Sequence, residues 1–170
     1  DWRHCPPGGE VTALIEDVRR IESAEAAICD LPAVVAQRMG FWRVVASAQQ
    51  RTVEAELDET RPVLVNLPAA EVLSVLDNLV QNVLTHTVAG VGFTVSVTSG
   101  PPRLTIKDEG DGLPSTDVFD RGSSSGGSGL GLDIVRRVAE ESGGDVTLGD
   151  GPGATIVVRF GEPVSPTEAR

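Results

Sequence analysis

Apolar and polar positions follow two rhythms along this chain, and each rhythm marks an element. Over 11–27, Val11, Leu14, Ile15, Val18, Ile21 and the alanines up to Ala27 recur at three- and four-residue spacing. That is the stripe of an amphipathic helix. The opposite face carries Glu16, Asp17, Arg19, Arg20, Glu22 and Glu25. No domain encloses this helix, so its apolar face is expected to pack on something outside the sequence or on a partner copy. Asp30 is placed to cap a second helix, which begins at Leu31-Pro32 and runs through Gly40 to about 47–50. A third begins after Pro68 and spans 69–86, with Val72, Leu73, Val75, Leu76, Leu79, Val80, Val83 and Leu84 as its apolar face. The pattern predicts a last helix over 132–141, stopped by Gly143-Gly144.

The second rhythm has a period of two. It marks strands at 52–57, 93–98, 103–107, 145–148 and 154–160, with a short apolar strand at Val63-Leu64-Val65 ended by Asn66. Gly100-Pro101-Pro102 joins two of these as an antiparallel hairpin, and the turn over 149–153 joins the last two. Residues 1–9 read as a turn-rich lead-in, 110–131 as a Gly/Ser-rich loop and 162–170 as a polar tail. Helices and strands alternate irregularly, without repeated βαβ units. This predicts an α/β two-layer sandwich, with a mixed, largely antiparallel sheet and about three helices on one face.

Composition narrows the chemistry. The 170 residues amount to about one domain, and 40% are hydrophobic, enough for a core. Aromatics are only 4% with no Tyr, so that core must be built from Val, Leu, Ile and Ala. A formal charge of −11 argues against a nucleic-acid or anionic-membrane surface. Cys5 and Cys29 form no C-x-x-C pair, which suits a reducing compartment. No apolar run approaches the ~18–20 residues of a membrane span. The only lysine, Lys107, follows no glycine-rich loop, which excludes a Walker-A phosphate cradle. Yet 19 glycines are present and they cluster.

Three segments carry candidate chemistry. On the third helix, Asn78, Asn82 and His86 are spaced i, i+4, i+8 and form one polar stripe beside the apolar face. An amide oxygen is a hard ligand suited to Mg²⁺; a solvated helix face would look the same. The strand 103–107 runs into Asp108-Glu109-Gly110-Asp111-Gly112. Asp108 could accept a hydrogen bond from an exocyclic amine such as adenine N6, and would repel the acceptor that guanine presents there. Taken singly, an acidic turn between strands is the commoner outcome. Lastly, Gly127-Ser128-Gly129-Leu130-Gly131-Leu132 feeds a helix whose N-terminal amides would face an anion. A Rossmann reading fails, because loop rather than strand precedes this motif.

In this order and spacing the three segments resemble the N, G1 and G2 boxes of the GHKL ATPases (gyrase, Hsp90, histidine kinase, MutL). Within that superfamily the chain resembles the catalytic, ATP-binding domain of a bacterial two-component sensor histidine kinase. The segments that carry the likeness are 76–87, 108–114, Val118-Phe119-Asp120-Arg121-Gly122 and 127–144. The resemblance implies the Bergerat ATP-binding fold over 29–161. It makes 10–28, with Arg20-Ile21-Glu22-Ser23, the end of a dimerisation and phosphotransfer helix whose acceptor partner is missing. His4, followed by Cys5-Pro6-Pro7, lacks the acceptor pattern.

The resemblance further implies ATP and Mg²⁺ as ligands. It makes Asn82 the Mg²⁺ ligand, Asn78 a support for phosphate or metal, and Asp108 the adenine reader, with Gly110 and Gly112 shaping the pocket floor. Gly127, Ser128, Gly129, Leu130, Gly131 and Leu132 would be the phosphate-facing loop. Phe119 would anchor the ATP lid formed by 123–126, and His86 would lie near the nucleotide. Two departures stand out. Thr85 occupies a position where the family commonly has a lysine or arginine; Arg121 or Arg136 are candidate substitutes. Gln81 stands where several relatives carry a water-activating glutamate. An amide cannot act as a base, so Asn82 and Gln81 mark a catalytic position suited to phosphotransfer rather than efficient hydrolysis. The implied partners are the protein's own dimerisation domain and a response regulator, with no nucleic acid. The full-length protein is expected to be a homodimer anchored in the cell membrane, with this piece a monomeric cytoplasmic domain. Two alternatives stay open: an anti-sigma-factor-type serine kinase, and a degenerate interaction module that binds nucleotide poorly.

Overall fold

A computed structural model describes residues 28–112 and 130–163. The expected helix at 11–27 and most of the Gly/Ser-rich loop therefore lie outside the described residues. In chain order the elements are β1 (Cys29–Asp30), α1 (Leu31–Ala48), β2 (Val53–Leu57), β3 (Leu64–Val65), α2 (Ala69–His86), β4 (Phe93–Thr98), β5 (Arg103–Asp108), α3 (Leu130–Glu141), β6 (Asp145–Gly149) and β7 (Thr155–Arg159).

Five strands form one sheet in the order β2-β4-β5-β7-β6. The pairs β4–β5, β5–β7 and β6–β7 are antiparallel, while β2 and β4 run parallel, with α2 in the crossover between them. The sheet is thus mixed and largely antiparallel, as expected. Its inward rungs are apolar: Val95 pairs with Ile106, Ile106 with Ile156, and Val97 with Leu104, which pairs in turn with Val158. The outward positions alternate as Thr94, Ser96, Thr105 and Lys107. Period-two alternation puts most of the apolar side chains on one face, Val157 opposite Thr105 being an exception, and the three described helices cover it. α2 packs between α1 and α3. The core is aliphatic, with Leu31, Val35, Val72, Val75, Leu76, Leu79 and Val80 fully enclosed against Val95, Leu104 and Val158. Phe93, Phe160 and Trp42 are its aromatic members.

Several local features differ from expectation. Asp30 holds the N-cap position of α1, but its carboxylate makes no capping bond. Oδ1 instead accepts the Val63 amide at 2.8 Å, and Leu31 N–H donates to the Val63 carbonyl at 2.9 Å. These two bonds staple the entrance of α1 to the segment before β3, where β1 pairs antiparallel with β3. The tertiary partner takes the carboxylate that local geometry would have assigned to the helix. α3 starts at Leu130, two residues before the expected start, so Gly131 lies inside its first turn.

Candidate nucleotide site

α2 supplies the amide stripe. Its buried face of Val72, Val75, Leu76, Leu79, Val80 and Val83 rests on the core, which leaves Asn78 and Asn82 half-buried along its margin and His86 exposed at its end. Asn78 Nδ2 donates to the Ser74 carbonyl one turn back at 2.8 Å. That bond fixes the amide plane and leaves Oδ1 beside Gly131 of α3. Asn82 Nδ2 is buried and has no hydrogen-bond partner among the described residues. An orphaned buried donor costs about 1–3 kcal/mol, so its retention asks for a ligand or a function.

The first turn of α3 comes directly against these amides. A Cβ at Gly131 would stand 3.0 Å from Asn78 Oδ1 and 3.7 Å from Asn82 Oδ1. A larger residue there would force the Asn78 amide or the α3 backbone to give by a few tenths of an ångström. The two Asn oxygens and the N-terminal amides of α3 therefore share one small region. Oxygen ligands for a cation and N–H donors for an anion lie side by side, which is what a metal–phosphate pair requires.

β5 delivers Asp108 at its end. The residue is 4% exposed, and Oδ1 accepts both the Gly110 amide at 2.9 Å and the Ala154 amide at 3.0 Å. Among the described residues nothing donates to Oδ2. Asp108 N–H in turn donates to the Ala154 carbonyl at 3.0 Å. Gly153 makes this approach possible: its φ is +80°, and a Cβ there would fall 2.0 Å from the Asp108 carbonyl oxygen. Gly112 lies against Gly153 from the other side. Asp108, Gly110 and Gly112 thus lie together at the end of β5, while Ala154 and Gly153 had no signal beyond a glycine-rich turn.

α2 is also tied to α1. Asp77, next to Asn78, accepts from Arg38 Nε and Nη2 at 2.8 Å each and from Trp42 Nε1 at 2.7 Å. The hydrogen bond to Asp77 holds the Arg38 guanidinium above its ordinary pKa. This bidentate pair fixes the rotation of α2 and hence the aim of its stripe.

Gln81 and Thr85 are exposed, and Leu132 is half-buried against the core. His86 follows Asn78 and Asn82 along α2 at four-residue spacing and is exposed among the described residues. Phe119, Arg121, Gly127, Ser128 and Gly129 lie outside the described residues, as does the side chain of Leu130.

Comparison with known proteins adds the family. The model of the histidine kinase-, DNA gyrase B- and HSP90-like ATPases matches residues 69–164, more than half of the chain. The alginate biosynthesis sensor protein KinB of Pseudomonas aeruginosa is 26% identical over 78% of this chain and 24% of its own length. The sensor protein DivL of Caulobacter vibrioides is 33% identical over 85% of this chain and 18% of its own length. The chain spans about a quarter or less of these curated relatives. Among solved structures, the catalytic domain of histidine kinase ThkA superposes with a TM-score of 0.69 at 18% identity, over 78% of this chain and 95% of that one. At that identity the likeness speaks for the fold, which is the two-layer sandwich described above. The chain belongs to the histidine kinase-, DNA gyrase B- and HSP90-like ATPases, and it is similar in sequence to sensor proteins and in fold to the catalytic domain of a histidine kinase.

Proposed function

We propose that this domain binds Mg²⁺·ATP between α2, the end of β5 and the start of α3, and presents the γ-phosphate to a histidine on a dimerisation domain for relay to a response regulator. The observation that supports this best is the contact of Gly131 with Asn78 and Asn82, beside the orphaned Asn82 Nδ2. The donor set fits a hard divalent cation. Asn82, supported by Asn78, would hold it, and a bound Mg²⁺ would offset the charge that the β- and γ-phosphates bring.

Each remaining role falls to residues of the chain. Asp108 Oδ2 accepts from the adenine amine while Oδ1 stays tied to the Gly110 and Ala154 amides. An ionised carboxylate has no donor in any orientation, so it repels a base with an acceptor at that position. The N-terminal amides of α3 and the glycine motif 127–131 receive phosphate oxygens. Thr85 is exposed and uncharged, so charge neutralisation falls to the cation and these amides, with Arg121 or Arg136 as the candidate basic partner. The nucleophile is the neutral imidazole of the acceptor histidine, which attacks the γ-phosphorus in line with the leaving ADP oxygen; this domain contributes positioning and electrostatics. Gln81 supplies no base, which protects ATP from water.

We place the domain on the cytoplasmic side of a membrane-anchored homodimer, as a monomeric unit by itself, with no nucleic-acid partner. No helix among the described residues is long and apolar enough to cross a membrane. The test is phosphotransfer from γ-labelled ATP to the histidine-bearing dimerisation domain of the same protein. Acid-labile, base-stable label on that domain is the expected product. Acid-stable label on a serine would instead favour an anti-sigma-factor-type kinase, and no label with intact ATP binding would favour an interaction module.

A further inference from the structure

Arg51 is 6% exposed and has no carboxylate partner among the described residues. Its guanidinium makes five hydrogen bonds. Nε donates to Gln49 Oε1 at 2.8 Å. Nη1 donates to Thr87 Oγ1 at 2.6 Å and to the Val91 carbonyl at 3.0 Å. Nη2 donates to the carbonyls of Thr87 at 2.8 Å and Leu84 at 3.4 Å. A buried charge needs compensation. Here it comes from the negative end of α2 and the carbonyls just beyond it, which an arginine satisfies with all its donors.

The group it grips is the one that touches the base pocket. Thr87 Oγ1 also donates to the Val83 carbonyl at 2.6 Å, so the side chain has one orientation. That orientation aims Cγ2 at Gly110, where a Cβ would lie 3.2 Å from Thr87 Cγ2, 3.8 Å from Val91 Cγ1 and 3.1 Å from Asp108 Oδ1. Gly110 N–H is in turn one of the two donors that hold Asp108 Oδ1. The path runs from Arg51 to Thr87, from the Thr87 methyl to the Gly110 backbone, and from the Gly110 amide to the carboxylate.

We infer that Arg51 is a positioning residue for base selectivity, acting through Thr87 and Gly110 to set the orientation of the Asp108 carboxylate. The inference rests on the proposed adenine-reading role of Asp108. It makes Arg51 and Thr87 determinants of which base is accepted rather than of fold stability alone. The two functional groups of Thr87 then have separable duties: the hydroxyl holds Arg51 and α2, and the methyl carries the contact to Gly110.

The experiment compares binding of ATP with inosine triphosphate, whose 6-oxo group replaces the 6-amino group, to the wild-type chain, Thr87→Ser and Arg51→Lys, alongside thermal melting. Wild type is expected to prefer ATP. Thr87→Ser keeps both hydrogen bonds and removes only the methyl, so it should fold normally. Its preference for ATP should fall by about fivefold, chiefly through weaker ATP binding, as the cost of one misplaced charge-assisted hydrogen bond. Arg51→Lys, which cannot reach all five acceptors, should reduce the preference at least as much. Unchanged ATP-to-inosine-triphosphate ratios in both variants, with the two affinities falling together or not at all, overturn the inference while leaving Asp108 as the reader. A wild-type chain with no preference for ATP overturns the Asp108 role and the inference with it.

Discussion

Gly131 lies beside the Asn78 amide, and a Cβ at that position would stand 3.0 Å from Asn78 Oδ1. Asn78 cannot step aside easily, because its Nδ2 is bonded to the Ser74 carbonyl. Gly131→Ala should therefore displace the amide oxygen or push α3 outward by a few tenths of an ångström, an overpacking cost of about 1–3 kcal/mol. The expected outcome is a fall in Mg²⁺·ATP affinity of roughly tenfold, larger than the shift in melting temperature accounts for. Calorimetric titration beside a thermal melt checks this.

Asp108→Asn preserves the shape of the side chain and can keep Oδ1 on the Gly110 and Ala154 amides. It puts an NH₂ where Oδ2 stood, and that group faces the adenine amine donor to donor. ATP binding should weaken by at least about tenfold, the equivalent of ~1.4 kcal/mol, while GTP binding holds or improves. Fold stability should drop by about 1 kcal/mol as two charge-assisted bonds become neutral ones. Competition between the two nucleotides on the variant reads the first effect, and denaturant unfolding the second.

Cys29 gives a pH-dependent signature away from the site. Burial, with the neighbouring Asp30 charge, pushes its thiol up to about 11. The folded state thus holds this proton more tightly than the unfolded state. Its contribution to stability is present below the unfolded thiol pKa of ~8.5 and is lost as pH rises toward the folded value. In a Cys5→Ser background, alkylation of Cys29 at pH 8 should run roughly a hundredfold slower than that of a free thiol, and should climb steeply up to pH 10. Rate measurements across that range test it.

Much of this was legible from residue pattern. α2 occupies the expected 69–86 because an eighteen-residue apolar stripe after Pro68 leaves little choice of register. The inward rungs of β4 and β5 follow from strict alternation. What escaped has a common cause. β1 is two residues long and carries no period, so only its pairing with the expected strand β3 defines it. Asp30 obeys the local rule for a cap by position, yet its carboxylate goes to Val63, a partner thirty-three residues away. Arg51 reads as a surface arginine between glutamines and a strand; its burial depends on where the far end of α2 returns.

The site shows the same division. Asn78, Asn82, Asp108 and the glycines announce themselves by type and spacing, since few residues can offer amide oxygens or admit a backbone so closely. Gly153 and Ala154, which complete the Asp108 pocket, come from a turn forty-odd residues downstream that only the β5–β7 pairing brings near. Asp77 reads as one more polar residue of α2, and its ties to Arg38 and Trp42 appear only with the packing of α1.

The most direct test is calorimetric titration of ATP into the chain and into Asn82→Ala, each with Mg²⁺ and with a chelator. The wild-type chain should bind ATP with a clear gain from Mg²⁺. Asn82→Ala should lose that gain, falling to the affinity of the chelated wild type while keeping its melting temperature within a few degrees. Mg²⁺-independent binding by the wild type, or a full Mg²⁺ effect in Asn82→Ala, would contradict the proposed site.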